Sequence, residues 1–150
     1  MRRLNLKYIV LCLVLAVWSC NSGSDEEPTE QELVVKALTK TWGIAPGRSV
    51  VFQGLDASVF WADFELSFTD RRSFTVSGVP SGYDDVWPAS GTFTFPDPKD
   101  PNLIERNDGV FIKIEITSET RVELVFELND TGGSAFGTSG NYRFMLASGS

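Results

Sequence analysis

From Thr41 to Ala147 apolar and polar side chains take turns along the chain, and a period of two admits few folds. Phe64, Leu66 and Phe68 alternate with Glu65, Ser67 and Thr69, and Ile112, Ile114 and Ile116 with Lys113, Glu115 and Thr117. Val122, Leu124, Phe126 and Leu128 alternate with Glu123 and Glu127, and Tyr142, Phe144 and Leu146 with Asn141 and Arg143. Successive side chains of a strand point to opposite faces, so each segment buries one face and wets the other, as antiparallel sheets do. Eight strands are predicted: 41–53, bent by a bulge at Ala45-Pro46-Gly47, then 64–69, 73–78, 90–95, 102–106, 110–117, 121–128 and 140–147. Ahead of them, Glu30 to Leu38 predicts a short helix. Thr29 is its N-cap, Glu32 completes a capping box, and Leu33, Val34, Ala37 and Leu38 form the face that packs on the domain.

The connections decide how the strands are arranged. In an up-and-down meander alternate connections share one end. One end then receives 54–63, 79–89, 107–109 and 129–139, three of them long, and the other receives 70–72, 96–101 and 118–120. Tight turns close one end and large loops gather at the other, an asymmetry that a sandwich with Greek-key crossings does not require. The expected fold is therefore all-β: an eight-stranded antiparallel up-and-down barrel over 30–150, preceded by the short helix, with a β-sandwich as the alternative.

Composition removes several kinds of chemistry. The sequence has no histidine, hence neither the commonest general base nor the commonest transition-metal ligand. No nucleophile elbow or paired catalytic carboxylate is visible, so no enzyme, cofactor or metal is expected. Asp84-Asp85, with Asp56 and Asp63 at the same end, reads as a solvated loop, and Asp97, Asp100 and Asp108 match no calcium-loop spacing. Gly132, Gly133 and Gly137, with Ser134, Thr138 and Ser139, lack the strand-then-helix setting of a phosphate loop.

The first thirty residues give an address. Arg2, Arg3 and Lys7 precede an apolar run from Tyr8 to Trp18 and the small residues around Ser19. About eleven helical residues reach only about 16 Å, too short to span a bilayer, whereas the order is that of an export signal. Val17-Trp18-Ser19-Cys20 resembles the lipobox of bacterial lipoproteins. That resemblance implies cleavage before Cys20, acylation of its thiol and amine, a palmitate-type anchor, and a place in the cell envelope on the outer membrane. Residues 1–19 are thus read as signal peptide and 20–29 as a lipidated cysteine with an acidic tether. Ser24-Asp25-Glu26-Glu27 resembles the surface-export tracts of Bacteroidetes-type lipoproteins, or is simply a solvated linker. Of thirteen Lys and Arg, three lie in the signal, against twenty Asp and Glu that all remain, so the mature chain carries a net −10. Such a surface repels nucleic acid. Cys12 leaves with the signal and Cys20 carries lipid, so no disulfide forms inside the domain.

Within the domain, "LTKTWGI" (38–44), "VWPASGTFTF" (86–95), "RNDGVFIKIEIT" (106–117) and "SGNYRFML" (139–146) resemble small lipocalin-like lipoproteins of the Bacteroidetes type. The resemblance implies an eight-stranded barrel closed at its base by Trp42, with an arginine stacked on that tryptophan, either Arg121 or Arg143. Where the family has glycine two residues before the tryptophan, this chain has Lys40. The family also implies a small hydrophobic ligand. Trp61, Tyr83, Trp87 and Phe136 lie on the long loops and either form an aromatic rim for an apolar or carbohydrate ligand or cap the core beneath them. Phe52, Phe68, Phe93, Phe95, Phe126 and Phe144 point inward and either line a cavity or fill it. The expected function is a lipid-anchored binding protein for a small hydrophobic or glycan ligand. The alternative is an interaction lipoprotein whose loops hold a protein partner.

Overall fold

The computed structural model describes residues 27–129 and 138–149. The signal, Cys20 and Phe136 lie outside them, as do the glycines at 132, 133 and 137. Helix α1 (Glu30–Leu38) opens with the capping box: Glu32 N–H donates to the Thr29 hydroxyl at 3.3 Å and Thr29 N–H donates to the Glu32 carboxylate at 2.8 Å. Its buried face is Val34, Val35 and Leu38, whereas Leu33 is half exposed. At 100° per residue those three centre on one direction, and Leu33 falls well to its side, which corrects the face expected from sequence.

Ten strands follow: β1 (Thr41–Ile44), β2 (Val50–Phe52), β3 (Leu55–Asp56), β4 (Glu65–Phe68), β5 (Ser73–Ser77), β6 (Ser90–Thr94), β7 (Leu103–Arg106), β8 (Phe111–Ser118), β9 (Arg121–Leu128) and β10 (Gly140–Ala147). From β4 to β10 each strand pairs antiparallel with the next, and β10 then pairs with both β1 and β2 while β1 pairs with β4. The ladder closes on itself. β1 and β2 are two halves of one long strand and β3 is a two-residue flap on β2, so the molecule is a closed eight-stranded antiparallel barrel with one short N-terminal helix. The sandwich alternative does not form.

The break in the first strand is larger than the three-residue bend expected. Ala45 N–H donates to the Met145 carbonyl at 3.0 Å, and Met145 N–H donates to the Ser49 carbonyl at 2.7 Å. One residue of β10 therefore bonds both ends of a five-residue bulge, with Gly47 at φ +100° inside it. The Ser49 hydroxyl donates to the Ala45 carbonyl and pinches the bulge shut. Between β3 and β4 a single 3₁₀ turn (Ser58–Trp61) replaces the irregular loop expected at 54–63.

The inward sides of the strands make one core. Val50, Leu66, Ile112, Leu124 and Phe144 have no measurable exposure. Outward positions of β8 and β9 are mostly charged or polar, among them Lys113, Glu115, Arg121 and Glu127, with Phe111 and Val125 the apolar exceptions. A lipid-facing barrel would carry a continuous apolar band there, which these charges interrupt. No helix among the described residues is long and apolar enough to cross a membrane.

At the base, Trp42 is 1% exposed and its indole N–H donates to the Leu38 carbonyl at the end of α1, at 2.9 Å. The cation over its ring is Lys40, 5.3 Å from the centroid, with its ammonium donating to the Glu119 carbonyl at 2.7 Å. Lys40 thus occupies the place expected of Arg121 or Arg143. Those two sit on β9 and β10, with Arg121 exposed and Arg143 paired between Val51 and Val125. A lysine two residues before the tryptophan, on the bend that leads into β1, reaches its ring.

At the other end the long loops are locked to each other. Gly78 leaves β5 at φ +68° against the Asp63 carbonyl, where a Cβ would stand only 1.8 Å from the oxygen. Gly54, at φ +82°, faces open space. Gly78→Ala should therefore cost at least about 2 kcal/mol more than Gly54→Ala, which bears backbone strain alone. Urea midpoints of the two variants check this, and equal losses would show that the loop contact yields without cost.

Candidate functional site

The aromatic side chains of the long loops turn inward. Trp61, on the 3₁₀ turn, and Trp87, on 79–89, are each 1% exposed, and Tyr83 is half-buried. Trp61 meets Phe144 edge-on at 4.9 Å, Phe64 at 5.5 Å and Tyr83 at 5.7 Å between centroids. Trp87 packs edge-on against Phe126 at 5.5 Å and Phe74 at 6.0 Å, with Phe64 at 5.7 Å. Neither tryptophan offers a face to solvent, which corrects the exposed-rim reading: each buries about 200 Å² by folding into the barrel. Phe136 lies outside the described residues.

Among the residues expected to line the interior, Phe68, Phe93, Phe126 and Phe144 are buried, and Phe52 and Phe95 partly so. Their rings interlock. Phe126 stacks on Tyr142 at 5.3 Å and on Phe144 at 5.9 Å, and Phe52 stacks on Tyr142 at 4.7 Å. Towards the base Phe68 meets Phe93 at 5.6 Å and Phe74 at 6.4 Å, and Phe93 meets Phe95 at 6.1 Å. Ring-to-ring contact runs from the loop end to the base.

One charged side chain is buried among these rings. Arg106, the last residue of β7, has a fully buried side chain. Its guanidinium lies 5.0 Å from the Trp87 centroid and 5.9 Å from that of Phe126. Nε donates to Asp108 Oδ1 at 3.0 Å, Nη2 to Oδ2 at 2.5 Å, and Nη1 to the Val86 carbonyl at 2.7 Å. The fork-to-carboxylate pair and the two rings let a cation sit where water does not. Sequence reasoning passed over Arg106, although the signal was there: Ile104 is inward on β7, so its neighbour two places on must be inward too. Burial pushes the Asp108 carboxyl up, but the Arg106 hydrogen bond and charge outweigh it, and the group is held below the ordinary aspartate range.

A second polar tie joins the loops to β10. The Tyr142 hydroxyl donates to the Thr138 carbonyl at 2.7 Å, and the Thr138 hydroxyl donates to the Asp85 carboxylate. Burial, reinforced by the repulsion a phenolate there would meet from the Asp85 carboxylate and from an ionised Tyr83, holds the Tyr142 phenol well above its ordinary value, so it serves as a donor at any physiological pH. Asp85 is thus a loop tether, and Asp84 beside it is exposed. No group of three or more acidic, Cys or His side chains able to hold a metal ion occurs among the described residues.

Among the described residues, the buried indole N–H of Trp87 has no hydrogen-bond partner. A groove of about 520 Å³ lies between α1 and the β4–β5 turn and is lined by Glu32, Val35, Lys36, Thr39, Asp70 and Arg72. Another, of about 340 Å³, lies outside the loop end beside Asp108, Phe111 and Leu128. The most exposed large apolar side chains also sit at that end: Val59 is 88% exposed, Leu55 72% and Phe60 71%.

Asp108 contributes stability above its unfolded pKa of about 3.9, and that contribution is lost as pH falls through the lower folded value. Asp108→Asn should cost about 1.5–3 kcal/mol at neutral pH and remove this part of the acid limb below about pH 4. Urea unfolding of both proteins from pH 7 to pH 2 measures it, and superimposable curves would show that the Arg106 pair carries no stability.

Compared with protein-family models, with curated proteins and with solved structures, the chain matches none, so any functional reading rests on its own residues.

Proposed function

We propose that this protein is a lipid-anchored, lipocalin-like module of the cell envelope that uses its barrel as a filled scaffold and its loop end to hold a protein partner. One observation carries the reading: the ring contacts that run through the barrel, from Tyr142 and Phe126 to Phe68 and Phe93. A ligand in a deep calyx would have to displace rings that already satisfy one another, each worth several kcal/mol of buried area. The loops, in contrast, are pinned by Gly78, Asp85 and Arg106 and present a fixed surface. The anchor is supported by the basic, apolar and small-residue order that ends at Cys20, and the outer membrane is its proposed site.

The small hydrophobic or glycan ligand remains as a second reading, favoured by the unpartnered Trp87 N–H. Beside it, Arg106 uses three of its five donor hydrogens. A guest entering there would bring an acceptor oxygen.

Two measurements test these readings. Cys20→Ala should shift the protein from the membrane pellet to the soluble fraction or leave it unprocessed; unchanged pelleting would remove the anchor. Native mass spectrometry of protein taken from membranes should give the polypeptide with its acyl chains and nothing more, and fatty-acid and glycan probes should not be displaced. A stoichiometric co-purified small molecule would favour the second reading over the first.

A further inference from the structure

Leu55, Val59 and Phe60 are displayed on a rigid platform. Ala57 N–H donates to the Val50 carbonyl at 2.8 Å, and Phe60 N–H donates to the Ala57 carbonyl at 3.0 Å. The Ser58 hydroxyl accepts from the backbone N–H groups of Ser49 at 2.8 Å and Val50 at 3.0 Å, and donates to Asp56 at 2.6 Å. Trp61, next along, is anchored in the core. The turn has a buried tryptophan to spend, yet it leaves a neighbouring phenylalanine and valine more than two-thirds in water. A pinned, preordered apolar knob of this kind loses little entropy on docking, and exposed apolar clusters mark contact surfaces.

The charges around the knob narrow its occupant. Among the described residues, the loops at this end (54–63, 79–89 and 107–109) carry Asp56, Asp63, Asp84, Asp85 and Asp108 and no lysine or arginine. Arg48 reaches the rim from the bulge, where its guanidinium donates to the Gly54 carbonyl, and Arg106 is buried. An anionic bilayer surface would be repelled. A second copy is disfavoured by the same token, because the groove beside Phe111 on this end is itself bordered by Asp108 and Glu127. The described chain enters the barrel through α1 at its base, the end opposite the knob. Resting on the loop-end reading above, we infer that Leu55, Val59 and Phe60 insert into an apolar pocket of a partner protein whose rim is lined by lysine or arginine. The acids steer and register the encounter, and the aromatic knob supplies the anchor.

The test places a photo-reactive phenylalanine analogue at position 60, and separately at Ser81 on the neighbouring loop, in the full-length chain in its own envelope. Position 60 should give one discrete adduct with another protein. Its yield should fall by about tenfold in a Val59→Asp background and again in Asp63→Lys/Asp84→Lys, while unchanged melting curves show that these exposed sites leave the fold intact. An adduct with lipid, an adduct with a second copy, or a yield indifferent to charge reversal overturns the inference. An adduct from position 81 alone overturns it while leaving the loop-end reading in place, and silence from both positions removes the two together.

Discussion

Everything in this barrel depends on closure of the hydrogen-bonded ladder at β10. That strand pairs along its full length with β9, and on its other side it divides its bonds between β1 and β2. Met145 bridges the interval by bonding both ends of the bulge at 45–49. A closed ladder has no free edge, and it also fixes an interior that side chains must fill or leave hollow. Among the described residues, the chain lines it with rings that touch one another. Because those rings come from strands and from the loops 54–63 and 79–89, these loops are held by the same packing that stabilises the barrel.

That coupling explains which features could be read from sequence. Period-two alternation locates β4 to β10 to within a residue or two, and loop lengths predict the closed meander, because both depend only on local geometry. The capping box at Thr29 is similarly local. What escaped depends on three-dimensional competition. Whether Trp61 and Trp87 face water or core is decided by the space left between Phe64, Phe126 and Phe144, which no linear pattern states. Phe60 and Trp61 are neighbours of similar hydrophobicity, and only the 3₁₀ turn sends one out and the other in. The exchange of Leu33 for Val35 on the helix face is the same kind of outcome. So is the choice of Lys40 as the cation over Trp42, since any basic residue near the base could have supplied it.

Arg106 is the instructive case. Strand parity alone puts it inside, yet a charge at an inward position looks like an error until its partners are counted. Asp108 lies two residues on, in the tight turn closed by Gly109 at φ +86°, so the turn itself delivers the carboxylate back to the guanidinium. Val86 and Trp87 arrive from the long loop at 79–89 and supply a carbonyl and a ring face. One buried cation thus joins two loops to one strand, and its desolvation is offset by groups that no single segment contains.

The two ends of the barrel consequently differ in kind. At the base, short turns and α1 seal the core with a neutral tryptophan under a lysine, and the acids there are mixed with Arg71, Arg72 and Lys99. At the loop end, the polar residues needed to hold long loops still are buried or paired, and the acids left over face solvent without counter-charges on the loops themselves. Rigidity and acidity there share a cause: the described loops are fixed by bonds within the chain. A surface fixed in that way carries its specificity before any partner arrives. On the proposal made above, the apolar side chains it leaves in water, Val59 and Phe60 foremost, are a prepared contact, since a lapse in packing would not be held on a turn bonded at Ser58 and anchored at Trp61.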